Sequence, residues 1–76
     1  MRIKIVETEE IIEANSYCEL LSEINEKLDT NYSNINDIEG FVPNPNSGCE
    51  GATPEDVNCC LIIQFLIGQG IISIQN

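Results

Sequence analysis

The segment from Thr53 to Ile67 constrains this chain more than any other. Thr53-Pro54-Glu55-Asp56 is a helix start: a threonine to cap the first free N–H groups, proline at the first helical position, and acids where the helix dipole is positive. The residues that follow, Val57 to Ile67, are apolar except for Asn58 and Gln64, so the predicted helix over 54–67 is apolar nearly all round. Such a helix must be covered on most sides. In a chain of 76 residues little else is present to cover it.

The rest supplies one strand and one long helix. Ile3 and Ile5 alternate with Arg2 and Lys4, which predicts a half-buried strand over 2–6. Ile11, Ala14, Cys18, Leu21, Ile24 and Leu28 recur at three and four, which predicts a helix over 9–29 with Thr8 as its N-cap. The connection over 30–52 is rich in Asn, Gly and Pro. One short helical turn is expected inside it around Asn34 to Glu39, and a tight turn at 44–48. Gly68 to Gly70 ends the apolar helix, and β-branched Ile71, Ile72 and Ile74 predict a strand over 71–75. The expected architecture is a single small α+β domain over 1–76, strand-helix-(short helix)-helix-strand. Its sheet has two strands, and a second copy in a homodimer is one way to complete it.

Charge narrows the function. Thirteen Asp and Glu face three Lys and Arg, a net charge of -10. Direct nucleic-acid binding relies on Lys and Arg to release counterions, and anionic membrane surfaces repel such a chain. A partner protein with a basic surface is the charge-compatible expectation. The predicted first helix displays Glu9, Glu13, Glu19, Glu23 and Glu26 on its solvent side, with Lys27 set against Glu23. That ridge would be about 25 Å long at the helical rise. Carboxylates at helical spacing imitate the charge of a nucleic-acid backbone, and Tyr32 and Phe41 in the connection would anchor the docked ridge.

The chemistry-bearing residues are few. With no histidine in the sequence the usual neutral-pH base is missing, a cysteine nucleophile lacks its partner, and no enzyme is expected. Cys18, Cys49, Cys59 and Cys60 lack the paired spacing of a zinc knuckle, so no metal or cofactor is expected there. No export signal is read at the N-terminus; a reducing, cytoplasmic setting is expected and the four cysteines are read as thiols. Their redox alternative joins Cys18 to Cys59 or Cys60 and Cys49 to the other, since a vicinal bridge is strained. Asp29, Asn31, Ser33 and Asp37 carry part of a calcium-loop spacing, but Asn34 stands where glycine is needed and Gly40 where the bidentate acid belongs.

Small size, strong acidity and thin catalytic equipment are similar in kind to the small phage or mobile-element proteins that inhibit nucleic-acid enzymes by mimicry. That similarity implies an acidic inhibitor of a basic protein surface. The two rival expectations are a self-assembling structural module stabilised by thiols or a metal, and a calcium-responsive regulator.

Overall fold

A computed structural model describes residues 1–39, 49 and 52–75. Phe41, Gly40, Glu50 and the turn expected at 44–48 lie outside the described residues.

The N-terminal third forms a hairpin before it forms a helix. Strand β1 (Arg2–Ile5) pairs antiparallel with β2 (Ile11–Glu13), with Arg2 opposite Glu13, Ile3 opposite Ile12 and Lys4 opposite Ile11. The turn between them closes through Glu9 N–H to the Ile5 carbonyl at 2.7 Å and Ile5 N–H to the Glu10 carbonyl at 2.9 Å. Glu9 takes a left-handed conformation there, with φ 63°. Thr8, expected to cap a helix, instead accepts the Glu10 N–H in this turn at 3.3 Å.

The helix expected over 9–29 therefore starts later. Helix α1 (Tyr17–Leu28) is capped by Ser16, whose hydroxyl accepts the Glu19 N–H at 3.1 Å. The physical reason lies in Ile11 to Ala14, which fit either period: Ile12 and Ala14 are buried at alternate positions while Ile11 is 52% exposed. A helix would have pointed Ile11 inward with the stripe. The strand buries Ile12 and Ala14 instead and gives their backbone a partner in β1.

Strand β3 (Ile72–Ile74) pairs antiparallel with the other side of β1, so the sheet has three strands in the order β2-β1-β3. The fold is α+β as expected, with one more strand than the sequence suggested. The third strand comes from within the chain, at β2.

Helix α2 (Pro54–Gly68) starts where predicted, with the Thr53 hydroxyl accepting the Asp56 N–H at 3.3 Å. Both helices pack on the sheet face that carries Ile3, Ile5, Ile12 and Ile72, around Leu20, Leu21 and Ile24 of α1 and Ile62, Ile63 and Leu66 of α2. Ile5, Ile24, Ile62 and Leu66 are fully buried at 0% exposure. Cover for the remaining sides of α2 is shared, and its Cys59, Phe65 and Ile67 stay only partly buried against this core.

Two disulfides correct the expectation of free thiols. Cys18 bonds Cys59, with Cα atoms 5.1 Å apart, and Cys49 bonds Cys60, with Cα atoms 6.0 Å apart. Cys59 and Cys60 leave the helix about 100° apart, so each can meet a different partner where they could not meet each other. Cys59 faces the first turn of α1. Cys60, fully buried, faces Cys49, itself only 4% exposed. Cross-links compensate the core deficit of so small a domain.

Candidate functional site

The acidic ridge expected on one helix is divided between two elements. Glu19, Glu23 and Glu26 lie on α1 at positions i, i+4 and i+7, all exposed, and form a stripe about 10 Å long at the helical rise. Their opposite face, Leu20, Leu21 and Ile24, is buried, which fixes the direction in which the carboxylates point. Glu9 and Glu13 are not on this face. Glu9 sits in the hairpin turn, and Glu13 on β2 pairs with Arg2 directly across the ladder at 3.1 Å.

Lys27 was expected to answer Glu23 along the helix. It bonds Glu10 of the hairpin turn instead, at 3.1 Å, and so ties that turn to the last turn of α1. The hydrogen bond and charge of Glu10, and then the charges of Glu26 and Glu23, hold the Lys27 ammonium above the ordinary lysine range. Among the described residues these two pairs occupy Arg2 and Lys27, and Lys4 lies on β1 with its side chain on the face away from the helices.

The disulfides place a second group of acids beside the stripe. Cys18 is in the first turn of α1, and its Sγ lies 3.4 Å from the Glu55 carbonyl oxygen in the first turn of α2. Glu19, Glu55 and Asp56 thus belong to the opening turns of two helices that the Cys18–Cys59 bond joins. Each sits in a first turn, where a carboxylate suits the positive end of the dipole. The buried set among the described residues contains no polar or charged side chain.

The loop after α1 is organised by two asparagines that sequence reasoning passed over. Asn25 accepts the Thr30 hydroxyl at 2.8 Å and the Tyr32 N–H at 3.0 Å, and donates to the Tyr32 carbonyl at 2.8 Å. Asn58 donates to the Ser33 carbonyl at 2.7 Å and accepts the Ile35 N–H at 2.8 Å. Asn58 appeared in the sequence only as an interruption in an apolar run. A polar residue at a helix position otherwise apolar was the available signal, because such a group needs a partner.

These bonds settle where the other expected site residues lie. Tyr32 is half-buried and packs against the core, with its backbone held by Asn25. Asp29 is the left-handed C-cap of α1, with φ 54° and ψ 48°. The short helical turn is a 3₁₀ turn at Ile35–Asp37, capped by the Asn34 side chain. Asp29, the first position of the calcium-like spacing, and Asn34, which stands where that loop needs glycine, thus act as caps. Among the described residues no group of three His, Cys, Asp or Glu side chains is placed to hold a metal ion.

A groove of about 150 Å³ opens on the far side, where β1 begins and β3 ends, lined by Tyr17, Leu20, Ile63, Ile67 and Ile74, with Arg2 as its charged side chain. Its size suits an apolar side chain. No helix among the described residues is long and apolar enough to cross a membrane. Comparison with protein-family models, with curated proteins and with solved structures yields no match.

Proposed function

We propose that this protein is a binding module whose acidic face, centred on Glu19, Glu23 and Glu26, occupies a basic surface of another protein, in the manner of a nucleic-acid-mimic inhibitor. The observation that carries this reading is the stripe itself: three exposed carboxylates at helical spacing on a helix whose back is buried and whose first turn is disulfide-bonded to its neighbour. A rigid display loses little entropy on docking, and a single-sign field steers a basic partner. Glu55 and Asp56 extend the field at one end. Binding rather than catalysis is supported by the residue inventory, which has no histidine.

The expectation of a cytoplasmic setting came from the N-terminal residues, and the reading of the cysteines as thiols followed from it. Two disulfides in so small a domain support an oxidising milieu instead.

The test uses the oxidised protein as bait in nuclease-treated lysate, beside the variant Glu19→Gln/Glu23→Gln/Glu26→Gln. Enrichment of a basic protein by the parent, released by salt and lost in the variant, is the expected result. Equal capture by both baits contradicts the assignment.

A second reading, the self-assembling module, draws on Met1, Val6, Ile11 and Ile74, the exposed large apolar residues among the described residues, which lie in or beside the sheet and not on the helices. Sedimentation at rising concentration tests it: growth beyond a dimer that is lost on Ile11→Ser/Ile74→Ser is the result this reading expects, and a constant mass contradicts it.

A further inference from the structure

The two disulfides share adjacent residues of one helix but differ in access. Cys49 and Cys60 are 4% and 0% exposed, so a nucleophile reaches their bond only if the fold opens. Cys18 and Cys59 are both partly exposed at the seam where α1 and α2 begin. We propose that Cys18–Cys59 is the thiol-exchange site of this protein, and that a thiol carried on a cationic molecule opens it in preference to an anionic one.

In the first step a reductant thiolate forms a bond to one of the two protein sulfurs, the bond between them breaks, and the other departs as thiolate. In the second step a second reductant thiolate attacks the reductant's sulfur in that mixed disulfide, closes a reductant disulfide and displaces the protein sulfur. Two electrons pass to the protein, two reductant thiols are oxidised to one disulfide, and two protons convert the released thiolates to thiols.

Charge selects the class of reductant. Glu19 follows Cys18 in the chain, the Glu55 carbonyl lies 3.4 Å from Cys18 Sγ, and Asp56 precedes Cys59 by less than one turn. An anionic thiol approaches this acidic seam against the field, and a cationic one approaches with it. Reduction frees the start of α1 from α2 and loosens the support of the Glu19 end of the stripe.

The experiment treats the folded, oxidised chain with cysteamine, 2-mercaptoethanol or mercaptoacetate at equal thiolate concentration. Released thiols are alkylated and assigned by mass spectrometry. Cys18 and Cys59 should be labelled while Cys49 and Cys60 remain bonded. Cysteamine should act about tenfold faster than mercaptoacetate at low ionic strength, with the gap closing in about 0.5 M salt. Glu19→Gln/Glu55→Gln should narrow the gap without changing which bond opens. Labelling of all four cysteines together, or of Cys49 and Cys60 first, overturns the assignment of the site. Equal rates for the three thiols overturn the cationic reductant. Neither result bears on whether the α1 stripe binds a basic protein, because no partner is present.

Discussion

Helices α1 and α2 lie side by side and share a disulfide, yet they divide their surfaces differently. In α1 the apolar residues occupy one stripe, and Glu19, Glu23 and Glu26 stand on the other side. In α2 the apolar residues go nearly all round, and Asn58 ties the loop after α1 to it. The contrast shows two ways in which a helix serves one core: α1 gives it one face and keeps the other for charge, and α2 gives it most of its surface.

Substitution in α2 should break that contrast most severely. Leu66→Ala removes a fully buried side chain and should cost about 2 to 5 kcal/mol in urea unfolding. Glu23→Ala on the exposed face of α1 should stay within about 0.5 kcal/mol of the parent. A similar cost for both would mean that α1 is also part of the core's support through its outer face.

Removing the link between the helices should come next. Cys18→Ala/Cys59→Ala opens a loop with a sequence separation of 41 residues, against 11 for Cys49–Cys60. Chain entropy alone then predicts a loss of about 3 to 4 kcal/mol, roughly 1 kcal/mol more than the shorter loop would give. Thermal unfolding of the double variant, read beside the reduced parent, measures it.

The start of α1 offers a smaller and sharper comparison. Ser16→Ala should destabilise by about 1 kcal/mol through loss of the cap, and Thr8→Ala should leave helix content unchanged. The reverse order would restore the longer helix that the sequence suggested.

That helix start marks the limit of what the sequence made legible. The start of α2 was readable because cap, proline and acids agree, β1 because Ile3 and Ile5 alternate with Arg2 and Lys4, and β3 because a short β-branched run follows the Gly68–Gly70 stop. Strand β2 was hidden by Ile11, Ala14 and Cys18, whose spacing matches a helix while Ile12 and Ala14 also alternate. The Ser16-x-x-Glu19 pattern, a capping signature, was the local clue to the true boundary. Glu9 and Glu13, two of the five acids of the expected ridge, were lost with the boundary, and Glu19, Glu23 and Glu26 remained. The disulfide pairing was legible down to two connectivities. Choosing between them requires knowing which way each neighbour leaves the helix, and this depends on how α2 is rotated in the fold.

The smallest expected effect is electrostatic. Lys27 titrates above the ordinary lysine value of 10.5 because Glu10 is bonded to it. A raised folded value means that the pair's contribution is fully present below the unfolded-state pKa and is lost as pH rises through the folded one. Glu10→Gln should therefore flatten the stability profile only at strongly alkaline pH. A change in slope near neutral pH would point to a different partner for Glu10.

The central claim is that the outer face of α1 is where a basic partner docks. It is tested most directly by titrating the isotopically labelled, oxidised protein with the captured partner, or with an oligoarginine peptide, and following backbone amide shifts at low and high salt. The account predicts shifts grouped around Glu19, Glu23 and Glu26, reaching Glu55 and Asp56 and fading as salt rises. Shifts confined to the sheet, or to the groove beside Ile74, would contradict it.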